Sequence, residues 1–190
     1  MQIPTVFRDR LGLGFFILAL LISIMNAWVH PGIVAWLLVF HNLFLVIIYA
    51  NRKQETAYDR TGLWLGLIAA FMPMPFMPDN PPIVLTILAL LGYGLIFWSL
   101  LSLGRRFGIA PADRGLVTSG PYKFVRHPIY LGELLFRGAL LIGAAPISGA
   151  VALIVLLMVQ ILRIAREEKI ISGYVEYASQ VRWRLIPFIF

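Results

Sequence analysis

Ser119–Glu133, SGPYKFVRHPIYLGE, is the stretch on which the reading of this chain turns. The sequence around it is mostly apolar, yet Tyr122, Lys123, Arg126, His127, Tyr130 and Glu133 crowd into it. Gly120-Pro121 makes a turn. The His127-Pro128 step drives His127 out of helical geometry, so a helix is predicted to begin near Pro128. The first turn of such a helix has unpaired N–H groups and a partial positive charge, which suits an anionic or polar ligand group. A cation, an imidazole and two phenols lie beside it. A basic loop next to a membrane helix can instead simply meet lipid headgroups, but the histidine and the prolines contribute nothing to that role.

Outward from this stretch, the 190-residue chain is 60% hydrophobic and only 13% charged, with a mean hydropathy of +0.85. A soluble domain of this size cannot hide so much apolar surface, which predicts an all-α polytopic membrane protein. Cysteine is absent, which excludes disulfides, thiolate metal sites and cysteine nucleophiles. His30, His41 and His127 are too scattered for a metal site, so no metal is expected. The apolar run from Leu11 lacks a following small-residue cleavage site and reads as a retained helix.

Hydropathy predicts about six transmembrane helices, at about 11–29, 31–50, 61–77, 82–103, 129–144 and 147–165. Gly143-Ala-Ala-Pro146 breaks the last apolar block into a C-terminal helical hairpin. Pro73, Pro75 and Pro78 predict an irregular end to the third span. Residues 1–81 are read as N-terminal transmembrane helices and 82–190 as the core that carries the chemistry.

Basic residues fall in the segments before the first helix, after the second, between the fourth and fifth, and after the sixth. The turns near His30, Asp79 and Pro146 contain no Lys or Arg. This asymmetry predicts that both termini are cytoplasmic, in a prokaryotic inner membrane. It also accounts for the net charge of +7, so nucleic acid is not an expected partner. Gly62 and Gly66 read as ordinary helix packing.

Glu167-Glu168 is the second constellation. The sixth helix needs about 20 residues to cross from Pro146, so the pair emerges at headgroup depth, level with Arg126 and His127. The hairpin therefore frames a cytoplasmic-face site, although adjacent acids beside Arg163 and Arg166 could also form a solvated ion network. Glu133 and Arg137, four apart inside an apolar helix, are predicted to pair, with a role toward an acceptor headgroup as the alternative. Asn26, His41 and Asn42 are assigned interhelical hydrogen bonds. Trp183 and Phe188 are assigned to an interfacial anchor.

GPYKFVRHPIY followed by LG, the helix end Arg163-x-x-Arg166-Glu167-Glu168, Tyr174-x-x-Tyr177 and Arg184-Leu-Ile-Pro187 form a recognisable series. Over roughly residues 82–187 it resembles the integral-membrane methyltransferases of the isoprenylcysteine carboxyl methyltransferase and phospholipid methyltransferase group. The resemblance implies S-adenosylmethionine as cofactor. It also implies a lipophilic acceptor entering from the bilayer, either a prenylcysteine-type carboxylate or a lipid amine. His127, Pro128, Tyr130 and Glu167 or Glu168 would then contact the cofactor, with Leu116, Val117, Gly120 and Tyr122 shaping its pocket. Gly92 and Gly94 resemble the family's Gly-x-Gly, although helix packing explains them equally well. Arg126 and Arg163 are the implied catalytic residues, with Tyr177 joining Glu133 and Arg137 on the acceptor side. One departure is visible: only Lys169–Gly173 separates the Glu-Glu pair from Tyr174, about one helical turn less than in family members. A membrane reductase using NADPH and a non-catalytic membrane scaffold are the rival readings.

The methyl-transfer reading is chemically coherent. An in-line displacement from a sulfonium gains mainly from positioning and from exclusion of water. Carboxylates suit the donor's amino and hydroxyl groups, and a cation suits its carboxylate.

Overall fold

The computed structural model of the chain describes residues 5–72 and 81–190. Pro73, Pro75, Pro78 and the Asp79 turn lie outside the described residues. The described chain is mainly helical, with connecting loops and one small ribbon. Its helices are α1 (Thr5–Val29), α2 (Ile33–Ala50), α3 (Arg60–Phe71), α4 (Ile83–Leu103), α5 (Pro128–Ala144), α6 (Pro146–Ile170) and α7 (Tyr174–Gln180). Strands β1 (Ala57–Tyr58) and β2 (Ala112–Asp113) pair antiparallel. Single 3-10 turns occupy Gly104–Arg106 and Gly120–Lys123.

Among the described residues, Arg10–Val29, Ile83–Arg106 and Pro146–Ile170 are long and apolar enough to cross a bilayer. The apolar part of α2, Ala35–Ala50, is shorter. With 12 and 17 residues, α3 and α5 extend about 18 and 25 Å, less than the ~30 Å hydrocarbon thickness.

The chain forms two compact units. The first comprises residues 1–53 and 104–108. In it α1 lies on α2, and Phe16 meets the rings of Tyr49 at 5.0 Å and Phe107 at 6.1 Å. Gly12 faces the Tyr49 ring so closely that a Cβ would overlap it. The loop closes through the Lys53 N–H, which donates to the Arg105 carbonyl at 2.7 Å.

The second unit, residues 54–103 and 109–190, holds every element of the polar stretch that begins the sequence reading. Pro128 opens α5, with His127 at the N-cap in a non-helical conformation (φ −127°, ψ 61°), the geometry that the His-Pro step demands. Ala145 alone separates α5 from α6, and the two helices pack against each other. On its other face α5 meets α4 through facing glycines. A Cβ on Gly92 would stand 2.5 Å from the Phe136 nitrogen and 2.8 Å from the Gly132 carbonyl. On the side where a Cβ would stand, Gly92 is filled by the backbone of α5, the helix-packing alternative that its sequence allows. Gly94 faces open space.

Helix α3 rests on α6 through Ala69, Leu156 and Val159, with Leu65, Met72 and Leu134 around them. Its glycine face receives a loop instead of a helix. Gly62 lies against Pro111, and Gly66 against the Ile109 carbonyl. This seats the segment that leads from residue 109 into the polar stretch. At Gly120 the backbone has φ +61°, and a Cβ would overlap the Ser102 hydroxyl, so glycine is required on both counts.

The α4–α5 seam makes a paired prediction. Gly132→Ala places a Cβ 2.8 Å from the Gly92 carbonyl and from Ile96 Cγ1. It should cost about 1–3 kcal/mol of stability, as overpacking does. Gly94→Ala meets nothing within 4 Å and should be neutral or stabilising by up to about 1 kcal/mol. Thermal melts of the purified chain in detergent distinguish them; equal melting temperatures would contradict the close seam.

Candidate active site

Two helix ends and a returning strand-like segment build the site. Glu167 and Glu168 belong to the last turn of α6, and His127 caps α5. The C-terminal segment then comes back across the cap. The Arg126 N–H donates to the Trp183 carbonyl at 2.8 Å, and the His127 N–H to the Arg184 carbonyl at 2.9 Å. Helix α7 supplies two tyrosines. Tyr177 donates its hydroxyl to the Tyr122 carbonyl at 2.6 Å, which fixes the turn ahead of the histidine. Tyr174, Tyr177 and Val181 form a small core that also takes up Leu116.

The side chains interlock around the two carboxylates. Arg184 grips Glu168 with two hydrogen bonds, Nε to Oε1 at 2.9 Å and Nη2 to Oε2 at 3.0 Å. Arg126 Nη1 adds a third at 3.1 Å, and the Tyr174 hydroxyl a fourth at 3.2 Å. Glu167 accepts from the Tyr130 hydroxyl through Oε1, and its Oε2 lies 3.3 Å from His127 Nδ1. The other imidazole nitrogen, Nε2, is 2.9 Å from the Tyr174 oxygen and 3.5 Å from Glu168 Oε1. Because Tyr174 gives its proton to Glu168, its oxygen is free to accept from Nε2. Both ring nitrogens then act as donors, the pattern of an imidazolium.

Electrostatics agree with that protonation state. Burial by itself would lower the His127 pKa, but the hydrogen bonds and charges of Glu167 and Glu168 outweigh it, and the value is raised. Burial pushes the Tyr122 and Tyr174 phenols upward, and Tyr177 up to about 12, so all three are neutral at physiological pH. The hydrogen bonds to Glu168 raise Arg184. The buried Arg126 Nε has no hydrogen-bond partner, a donor left over inside the cluster.

Residues 86–174 match the family model of the phospholipid methyltransferases. Over that segment, from α4 to the start of α7, the chain is similar to that family, as the sequence motifs led one to expect. No curated protein matches the chain.

Within the matched segment, Arg126, His127, Tyr130, Glu167 and Glu168 converge as the sequence reading expected. Tyr122 and Pro128 are buried beside them, and Val117 is buried in the preceding loop. Arg163 lies one layer deeper. Its guanidinium stacks on the Tyr130 ring at 4.5 Å, with Nη1 donating to Gln160 and Nη2 to the Ile109 carbonyl. Arg163 thus supports Tyr130 from beneath. The expected Glu133–Arg137 pair does not form. Arg137 reaches across to the Ala69 carbonyl near the end of α3, where helix geometry leaves carbonyls unpaired. Glu133 takes Gln160 and, at 4.0 Å, Arg163.

Several residues were not anticipated. Arg184, beyond the matched segment, enters the sequence reading only within the Arg184-Leu-Ile-Pro187 element, with no partner assigned; its alternation with aromatics hides an inward-facing guanidinium. Gln160 is the one amide in an apolar helix, three residues from Arg163, and that isolation was the available signal. Asp113 is another. Its carboxylate accepts from the Gly115 N–H at 3.0 Å and the Ser172 N–H at 3.0 Å, tying the loop before the site to the end of α6. Burial works against this carboxylate's charge, but those hydrogen bonds hold its pKa below the ordinary value.

The imidazolium has a measurable consequence. A raised folded pKa means that His127 contributes stability fully below its unfolded pKa of 6.5, and that this contribution fades as pH climbs through the higher folded value. Wild-type protein should lose melting temperature between pH 6.5 and alkaline pH more steeply than His127→Gln. Parallel pH profiles would show that the imidazole is not charged in the folded chain.

Proposed function

We infer that the chain is an S-adenosylmethionine-dependent methyltransferase acting on a lipophilic acceptor at the cytoplasmic face of the membrane. The observation that carries this reading is the convergence of His127, Tyr130, Glu167 and Glu168 into one buried polar cluster within the phospholipid methyltransferase segment. Six spans with both termini cytoplasmic fit the distribution of basic residues. A reporter fused after Phe190, or inserted at Glu55, should then register as cytoplasmic; an external signal from either would overturn that orientation.

The cofactor fits the donor set. When bound, it supplies an electrophilic methyl group on a sulfonium. Its amino group and ribose hydroxyls need acceptors, which Glu167 can provide. That carboxylate has two partners out of about four acceptor sites. Glu168 is nearly saturated by Arg184, Arg126 and Tyr174, so it acts as the organiser of the cluster. The orphan Arg126 Nε is the matching donor for the cofactor's carboxylate. His127 holds Glu167 in place and keeps it charged, and the tyrosine rings exclude water from the reacting centre.

Titration with labelled S-adenosylmethionine, with NADPH as competitor, separates this reading from a reductase and from a scaffold. Glu167→Gln should weaken cofactor binding by about 1–3 kcal/mol, the loss of a charge-assisted hydrogen bond. Glu168→Gln should chiefly lower thermal stability. Displacement by NADPH, or no binding of either nucleotide, would defeat the proposal.

A further inference from the structure

The basic residues of the first unit are gathered more tightly than membrane sidedness requires. Within residues 1–53 and 104–108 stand Arg8, Arg10, Arg52, Lys53, Arg105 and Arg106, against a single acid, Asp9. The positive-inside rule asks only that such residues lie on one side of the bilayer. Here the segments that follow α2 and α4 are tied together, although Asn51 and Arg105 are 54 positions apart. The Lys53 N–H donates to the Arg105 carbonyl, and Arg105 Nε donates to the Asn51 carbonyl. Gly104 turns the chain at that point with φ +49°. Arg52 is committed elsewhere, stacked over the Tyr49 ring at 4.1 Å. Lys53, Arg105 and Arg106 have no ion-pair partner among the described residues, and the Arg106 Nε is buried there without a hydrogen-bond acceptor. The next acid along the chain, Glu55, pairs with Arg114 at 2.5 Å. The partial negative charges at the ends of α2 and α4 offset about one unit charge between them, which leaves most of the cluster uncompensated.

We propose that Lys53, Arg105 and Arg106 bind the phosphate of an anionic phospholipid. The chemistry suits that group: guanidinium N–H groups match phosphate oxygens in direction, and lysine adds a point charge. Arg105 spends only its Nε on the Asn51 carbonyl, which holds the side chain in place and leaves both Nη groups for a ligand. The depth suits a lipid. The cluster stands at the end of Ile83–Arg106, a helix long and apolar enough to cross a bilayer, and so at the level of headgroup phosphates. Trp36, Phe40, Leu43 and Ile47 recur at helical spacing along one face of α2 toward Asn51, each 43% to 56% exposed. A lipid held by its phosphate therefore has an apolar ridge on which its chains can lie, which a free phosphate ion would not use. The site is independent of the methyl-transfer reading.

The test uses the full chain in uncharged detergent, with dioleoyl phosphatidic acid, dioleoyl phosphatidylcholine and inorganic phosphate as probes and native mass spectrometry to count bound lipid. Wild type should hold phosphatidic acid more tightly than phosphatidylcholine. Lys53→Gln/Arg106→Gln should weaken that binding about ten- to a hundredfold, and Lys53→Arg should retain it. Lys123→Gln/Arg182→Gln removes as many charges from exposed positions of the second unit and should change the affinity less than about threefold, because distant exposed charges are screened. Equal losses in the two double variants would reveal a general field in place of a site and overturn the proposal, as would equal binding of the two lipids by wild type. Displacement of the lipid by millimolar inorganic phosphate would make free phosphate the ligand and overturn the lipid assignment. If Lys53→Gln/Arg106→Gln does not fold, Lys53→Gln decides, since that side chain is exposed. A loss of about fivefold is expected there, against none in Lys123→Gln; an unchanged affinity refutes the site.

Discussion

Two adjacent carboxylates at the end of an apolar helix cannot remain charged there unless something compensates each of them. The second unit of this chain is arranged around that requirement. Consecutive helical residues point about 100° apart, so Glu167 and Glu168 look in different directions and need different partners. Glu167 faces α5 and takes Tyr130 and His127; Glu168 faces the returning segment and takes Arg184 and Arg126. The imidazole bridges the two and is charged because both carboxylates flank it. Removing one partner would strand a buried charge, which costs more than the net worth of any single contact.

Below this cluster, polarity continues into the helices as a descending series. Tyr130 covers Arg163, Arg163 meets Gln160, and Gln160 meets Glu133. Each member satisfies the next, which is what an apolar surrounding demands of any polar group that it admits. Loop 109–116 shuts this series from one side, with the Ile109 carbonyl on Arg163 and Asp113 on Ser172. The glycines of α3 are what allow that loop so close.

Features governed by local rules could be read from the sequence. The His127-Pro128 step fixed the start of α5, and the small residues before Pro146 fixed the break between α5 and α6, because proline acts on its immediate neighbours. The meeting of Glu167 and Glu168 with His127 was legible because the break before Pro146 turns α6 back along α5, although α6 is longer, 25 residues against 17. Partner choice was harder. Glu133 and Arg137 have the spacing of a helical ion pair, yet a free carbonyl on α3 and an amide on α6 lie closer to hand. Spacing along one helix says which pairs are possible; neighbouring helices decide which form. Arg184 escaped for the same reason, since nothing near it in the chain indicates that residue 168 is its partner.

Sixteen positions separate Glu168 from the arginine that neutralises it. At a synthesis rate of about 5–20 residues per second, the second carboxylate waits about one to three seconds for Arg184. The N–H groups of Arg126 and His127 wait longer for the carbonyls of Trp183 and Arg184, about 3–11 seconds at the same rate. Throughout that interval α5 and α6 exist with an unfinished polar end, and water or lipid headgroups must stand in. The ribosome thus delivers both carboxylates before the arginine that closes over them, and the chain cannot organise this pocket until the segment through Arg184 has emerged.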